Sequence, residues 1–313
     1  MKNNINQNTI VMKYNILFLC IFASLLFLSC GGEDAKPGSK DNPIKFFFTP
    51  SVDSENIASN SKELIQFLEN ETGLVFKTGI PTNYITVVEA FGSGRADIAI
   101  MNPFGYLLSN FRYKTVVKLR TIRFGETSYR GQIITRTDSG IDSIEQLNGK
   151  KFAYADPSST SGYLFPAKLL KERNIIPGST VFAMKHDIVV AKVYEKQVDA
   201  GATYYSPPSP TGEPRDARTR VKTQFPDVME KIKIIALTEE IPNDPVVFSN
   251  ELPKEIVDKI IAAILKFSQT EDGKKTFMNL YNIEGFVETQ DQDYDVLRKI
   301  LVTNEIVLET LVK

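Results

Sequence analysis

From residue 44 onward the chain switches repeatedly between short apolar runs and stretches of helical period. IKFFFT at 44–49 has the bulk and length of a strand, and in 55–70 Leu64, Ile65, Phe67 and Leu68 gather on one side of a helix that Gly73 ends. LVFKTG, YITVVEAF, ADIAIM and FGYLLSNF repeat the pattern, and VVKLRTIRF and GQIITRT follow as adjacent strands. KFAYA (151–155), TVFAMK (180–185), DAGATY (199–204) and KIKIIALT (231–238) are further strands, separated by helical segments around 163–173 and 187–197. Helical periods return at 253–268, 271–281 and 293–312, with Pro253 suited to a first turn. Neighbouring parallel strands need a crossover of a dozen or more residues, which a helix fills. The alternation therefore points to an α/β protein with mainly parallel sheets and helices packed on them.

Composition narrows the function. A chain of 313 residues exceeds one ordinary core, so two lobes are expected. Lys plus Arg number 37 against 38 Asp plus Glu, which gives no basic field for nucleic acid. One His and two Cys fall short of the four N or S ligands of a structural zinc site, so neither a metal nor another cofactor is expected. Residues 206–217, SPPSPTGEPRDA, are a Pro-rich interruption that reads as a surface loop, with contact to a partner protein as the alternative.

The first thirty residues read as an address. Lys2 and Lys13 precede the apolar run ILFLCIFASLLFL at 16–28, which falls short of the roughly 20 residues that span a bilayer. The run ends in Leu28-Ser29-Cys30-Gly31 and resembles a bacterial lipoprotein signal, in which residues 1–29 are removed and Cys30 becomes the lipidated first residue. Phe27 stands where such signals usually carry an aliphatic residue, and Met12 offers a second start. An uncleaved anchor is the alternative, and either way the body lies outside the cytoplasm. Residues 30–43 are then the lipidated Cys and a flexible tether.

In open α/β sheets ligands sit beyond the carboxyl ends of strands, so the polar residues there carry the argument. After KFAYA comes Asp156-Pro157-Ser158-Ser159-Thr160-Ser161-Gly162, running into a helix. Consecutive hydroxyls beside unpaired backbone N–H groups at a helix start suit a tetrahedral oxyanion, and they equally suit plain N-capping. Pro166 delays or bends the regular helix, which leaves the capping residue open. His186-Asp187 follows TVFAMK, Tyr84 follows LVFKTG, and Tyr129 begins GQIITRT. Ile241-Pro242-Asn243-Asp244-Pro245 is a stiff turn with one carboxylate. Taken singly, each of these also fits a structural role.

Tyr84 preceded by Asn83, the stretch Arg95-Ala96-Asp97-Ile98-Ala99, DSGIDSIEQLNGKKFAYADPSSTSGYLFP, His186-Asp187, Val198-Asp199-Ala200-Gly201 and IPNDPVVF occur in order. Together they resemble the phosphate, phosphite and phosphonate substrate-binding proteins of ABC importers, over roughly residues 44–270. The resemblance implies a two-lobed type II periplasmic-binding-protein fold with two hinge crossings. Lobe one would comprise 44–128 plus 243–313, and lobe two 129–242. It implies a ligand cleft in which Ser159, Thr160 and Ser161 hold the phosphoryl oxygens, His186 joins from the second lobe, and Tyr84 and Tyr129 add hydroxyls. Asp244 would accept a hydrogen bond from a protonated ligand oxygen and so reject a fully ionised anion such as sulfate.

Relatives that take aminoalkylphosphonates carry a carboxylate for the amine where this chain has Thr203-Tyr204-Tyr205-Ser206, which favours phosphate, phosphite or a short alkylphosphonate. The expected partners are that ligand, an ABC permease and a membrane reached through the lipid, with the protein itself a monomer and not an enzyme. Two other readings remain open. One is a ligand sensor or surface-interaction lipoprotein of the same fold. The other is a serine hydrolase, disfavoured because no G-x-S-x-G elbow surrounds these serines and Asp187 is a poor orienting group for its own neighbour.

Overall fold

The computed structural model describes residues 35–51 and 54–303. The signal, Cys30, the first tether residues and the end of the 293–312 helix lie outside the described residues. Residues 38–43, expected in the tether, instead pack on the body: the Gly38 carbonyl accepts from Val75 N at 2.8 Å, and its N–H donates to Asn42 O at 2.8 Å.

Two sheets form the scaffold. The first is six-stranded, in the order β11 (Gly285–Glu288), β4 (Val116–Ile122), β10 (Pro245–Phe248), β3 (Ile98–Ile100), β1 (Ile44–Phe48), β2 (Phe76–Gly79). The second is five-stranded, in the order β7 (Ser179–Phe182), β6 (Lys151–Tyr154), β8 (Ala200–Tyr205), β5 (Ser128–Arg136), β9 (Ile232–Pro242). Both sheets are mixed. Parallel pairing is confined to β1 with β2 and β3, and to β6 with β7 and β8. Strands β10 and β11 come from 245–248 and 285–288, which the alternation did not mark as strands, and both run antiparallel. Strands β4 and β5 are consecutive in sequence yet lie in different sheets, because the chain passes from one lobe to the other between them.

Helices cover both faces of each sheet, which is why the strands read as nearly continuous apolar runs. On one face of the first sheet lie α1 (Ser54–Thr72), α7 (Lys254–Gln269) and α8 (Glu271–Tyr281), burying Leu64, Leu68, Ile260, Ile264, Phe267 and Phe277. On the other face lie α2 (Tyr84–Gly92), α3 (Pro103–Tyr113) and α9 (Asp295–Thr303). That second cluster also takes in Leu164, Phe165 and Ile241, so side chains joined to the second sheet pack into the core of the first. The second sheet is covered by α4 (Phe165–Glu172), α5 (His186–Tyr194), α6 (Val228–Lys231) and adjoining turns.

Two chain crossings join the lobes side by side. At the first, Phe124 and Gly125 both adopt left-handed backbone (φ 54 and 77), closing a tight turn in which Arg123 and Glu126 pair. At the second, buried Asn243 donates from Nδ2 to Thr121 O at 3.1 Å and to Glu126 O at 2.8 Å, and from its backbone N to Thr127 O at 2.9 Å. One side chain thus sews the two crossings together. Replacing Asn243 by Leu takes a donor from the buried Thr121 carbonyl, at about 1–3 kcal/mol if that group is left unpaired, while the Glu126 carbonyl keeps Arg123 N as a donor. Urea denaturation should show Asn243→Leu destabilised by about 1 kcal/mol or more, whereas a loss under 0.5 kcal/mol would mean the clamp is idle.

Candidate functional site

The Ser-Thr-Ser segment leaves β6 through a turn that Asp156 organises. Its buried carboxylate accepts from Ser158 N at 2.7 Å and, across the cleft, from Tyr84 N at 3.3 Å. Ser159 Oγ then caps a π-helical turn, Thr160–Leu164, by accepting from Gly162 N at 3.1 Å, and α4 follows from Phe165. This is the two-stage start that Pro166 foreshadows, and it gives Ser159 the capping role. Thr160 does something else. Its Oγ1 accepts from Phe104 N at 2.9 Å and from Asn102 Nδ2 at 3.1 Å, so it caps α3 from the opposite lobe. Asn102 Nδ2 also donates to Ser158 O at 2.7 Å. A hydroxyl has two acceptor positions and one donor, so only the O–H of Thr160 remains, and Tyr129 lies within its reach. Only glycine fits at 162, where a Cβ would lie 2.5 Å from Ala155 Cβ and 3.0 Å from His186 Cε1.

His186 opens α5 and is 5% exposed. Its Nδ1 lies 2.9 Å from Thr203 Oγ1 on β8, and its ring meets Tyr204 edge-on at 5.1 Å. Burial, helped by the nearby positive charge of Arg220, pulls the imidazole down to about 3, so it is neutral across the physiological range. The phenols move the other way. Burial first, then the carboxylates of Asp156 and Asp244, raises Tyr84 well above the ordinary tyrosine value. Burial likewise raises Tyr129, where hydrogen bonding to Ser161 and Thr160 offsets part of the rise, and Tyr281. All of these groups are therefore neutral hydrogen-bonding groups near neutral pH.

Tyr84, Tyr129, Ser159, Thr160, Ser161, His186 and Asp244 all line one cleft between the sheets. Its volume is about 60 Å³, against roughly 10–15 Å³ for a single water on the same measure. It is lined by further groups that the sequence reading did not single out, among them Asn102, Arg123, Tyr281 and Arg220. Arg123 Nη2 donates to Asp244 Oδ2 at 2.7 Å, with the two side chains 16% and 18% exposed. Burial alone would pull the guanidinium down, but the Asp244 carboxylate more than reverses this. Arg220 Nε donates to Tyr204 Oη at 3.1 Å. Asn102 had a legible signal, since Asn before Pro-Phe reads as a helix start. Arg123 had none: it continues a strand that already carries Lys118 and Arg120.

The depressed His186 sets a stability window. The unfolded chain takes up this proton first, near pH 6.5, so the contribution of neutral His186 is complete above that value and is lost as the pH falls toward about 3. The loss approaches about 1.4 kcal/mol per pH unit within the window. In urea denaturation the stability of wild type relative to His186→Gln should therefore drop between pH 7 and pH 5. A constant difference would show that the imidazole is not held neutral.

Two mixed α/β lobes joined by paired crossings, with a polar cleft between them, are the type II periplasmic-binding-protein fold. The chain belongs to the family described as ABC transporter, phosphonate, periplasmic substrate-binding protein, whose model matches residues 46–294. It is 24% identical to the phosphonates-binding periplasmic protein of Escherichia coli over 278 residues, 86% of this chain and 79% of that one. It is 27% identical to the phosphate-import protein PhnD of Mycolicibacterium smegmatis over 200 residues, which span 58% of this chain and 62% of the relative.

Among solved structures, a binding component of an ABC phosphonate transporter from Pseudomonas aeruginosa superposes with a TM-score of 0.74 at 23% identity, covering 84% of this chain and 87% of that one. PhnD1 of Prochlorococcus marinus, solved with methylphosphonate, gives 0.71 at 16% identity, covering 84% and 98%. Among the described residues no helix is long and apolar enough to cross a membrane.

Proposed function

We propose that this chain is the extracytoplasmic binding component of an ABC importer, capturing phosphate, phosphite or a short alkylphosphonate between its lobes and presenting it to the permease. The observation that carries the reading is a cavity of about 60 Å³ walled by neutral donors and one buried, ion-paired arginine. That volume suits one tetrahedral oxyanion with little beyond it, and hydrogen bonds to a charged ligand are stronger than neutral ones. Asp244 is the one carboxylate among the lining residues, and Arg123 engages it, so no free acid stands ready for a ligand amine. The ligands in the names of the mycobacterial, Escherichia coli and Prochlorococcus proteins share a tetrahedral phosphorus head.

In this reading Ser159, Thr160 and Ser161 bind the phosphoryl oxygens, His186 joins them from the same lobe, Tyr84 faces them across the cleft, and Tyr129 adds a hydroxyl at the crossing. Lobe one comprises 44–128 plus 243–313, and lobe two comprises 129–242. The protein acts as a monomer, tethered through lipidated Cys30. Hydrolysis lacks its machinery here, because His186 Nδ1 is partnered by Thr203 rather than by a carboxylate.

Calorimetry on the soluble body should show phosphate, phosphite or methylphosphonate bound at least about tenfold more tightly than 2-aminoethylphosphonate. Ser161→Ala should weaken the preferred ligand about tenfold or more, the worth of one hydrogen bond to a charged group. Tightest binding of the aminoalkyl ligand would overturn the ranking.

A further inference from the structure

By the family resemblance, Asp244 is expected to accept a hydrogen bond from a protonated ligand oxygen. A carboxylate does that best when nothing else claims it, and here Arg123 Nη2 donates to Asp244 Oδ2 at 2.7 Å. The guanidinium is only partly used by this bond. Its Nε is buried without a hydrogen-bond partner, and no hydrogen bond to a described residue engages Nη1. A buried donor without a partner is rare enough to need a reason, and this one belongs to a residue that lines the cleft. We propose that Arg123, oriented by Asp244, is a specificity-determining ligand contact, and that the cleft takes its phosphorus oxyanion as the dianion rather than the monoanion, with no ligand proton shared with Asp244. This rests on the ligand class proposed above.

The remaining groups in the cleft agree. Both acceptor positions of Thr160 Oγ1 are filled, by Phe104 N and Asn102 Nδ2, so it has none left for a ligand P–OH. Ser159 Oγ already accepts from Gly162 N. A ligand P–OH would therefore face several donors and few open acceptors; the dianions of phosphite and methylphosphonate carry no such group, and that of phosphate carries one where its monoanion has two. Charge points the same way, since Arg123 and Arg220 together exceed Asp244 by one positive charge among the lining residues. A guanidinium is never deprotonated in this range and presents a planar fork to paired oxygens, so its preference for an ionised head group does not fade with pH.

The titratable and charged groups facing Arg123 are Asp244, Tyr84, Tyr129, Tyr204, Tyr281, His186 and Arg220, with Asp156 behind Tyr84. Burial holds His186, Tyr84, Tyr129 and Tyr281 neutral near pH 7. A titrating protein group is separable from the ligand because its midpoint would be the same for every ligand.

The test measures the affinity of wild type for phosphate, phosphite and methylphosphonate from pH 5 to pH 8.5, alongside Arg123→Lys and Arg123→Met. In wild type, affinity should fall toward about tenfold per pH unit below each ligand's own second ionisation, with the midpoint moving from ligand to ligand. Arg123→Lys should keep the slope at weaker affinity. Arg123→Met should lose at least tenfold at pH 8 and lose or reverse the slope, because the released Asp244 then takes a ligand proton.

Affinity that is flat or improves as the pH falls through the ligand's second ionisation would overturn the inference while leaving the ligand class intact. So would a midpoint common to all three ligands, or an Arg123→Met variant that keeps both affinity and slope. Wild type alone decides the slope and the midpoint if the variants fail to fold. Binding of none of the three ligands at any pH would overturn the ligand class itself, and this inference with it.

Discussion

The structure turns on the contact between its two chain crossings. Asn243 bonds to carbonyls on both sides of the first crossing, and Asp244 O accepts from Thr121 N at 3.1 Å, so the two segments behave as one short ribbon between the lobes. Because the ribbon is fixed, Arg123 on one crossing and Asp244 on the other come within 2.7 Å at the floor of the cleft. The cleft walls are joined as well. Thr160 bonds to Asn102 and Phe104, Asp156 bonds to Tyr84 N, and Leu164 and Phe165 pack into the core of the first lobe. Separating the lobes would expose all of these at once, which gives closure an energetic basis independent of any single residue.

Inside the cleft, low polarisability and hydrogen bonding act together. Burial holds His186 and the tyrosines neutral, so they serve as directional hydrogen-bonding groups without adding charge. The positive charge among the residues lining the cleft is that of Arg123 and Arg220, the first of which is committed to Asp244. A chain with near-zero net charge can therefore hold an oxyanion without a basic surface. The family match covers residues 46–294, and the family is one of transport components.

Much of the fold was legible because burial on both faces writes strands as apolar runs and amphipathic helices as periodic ones. The helix read at 271–281 matches Glu271–Tyr281, and that read at 55–70 matches Ser54–Thr72 within two residues at each end. Strand β10 was hidden by its position directly after a proline turn, and β11 by being four residues long with a Gly at its start. Their antiparallel pairing depends on where the returning chain enters the sheet, which no local pattern records. In the site, the hydroxyl run and His186 stood out because polar residues collected at strand ends. Arg123 did not, since its role is set by the left-handed turn at Phe124 and Gly125 that ends the strand beneath Asp244.

The most direct test of the central claim, an anion held between the lobes at the paired crossings, is a crystal structure of the soluble chain grown with methylphosphonate. The account predicts the phosphonate oxygens within hydrogen-bond reach of the Ser159, Thr160 and Ser161 hydroxyls and of the Arg123 guanidinium, with Asp244 still bonded to Arg123. A phosphonate bound elsewhere, or one bonded to Asp244 with Arg123 turned out of the cleft, would contradict it.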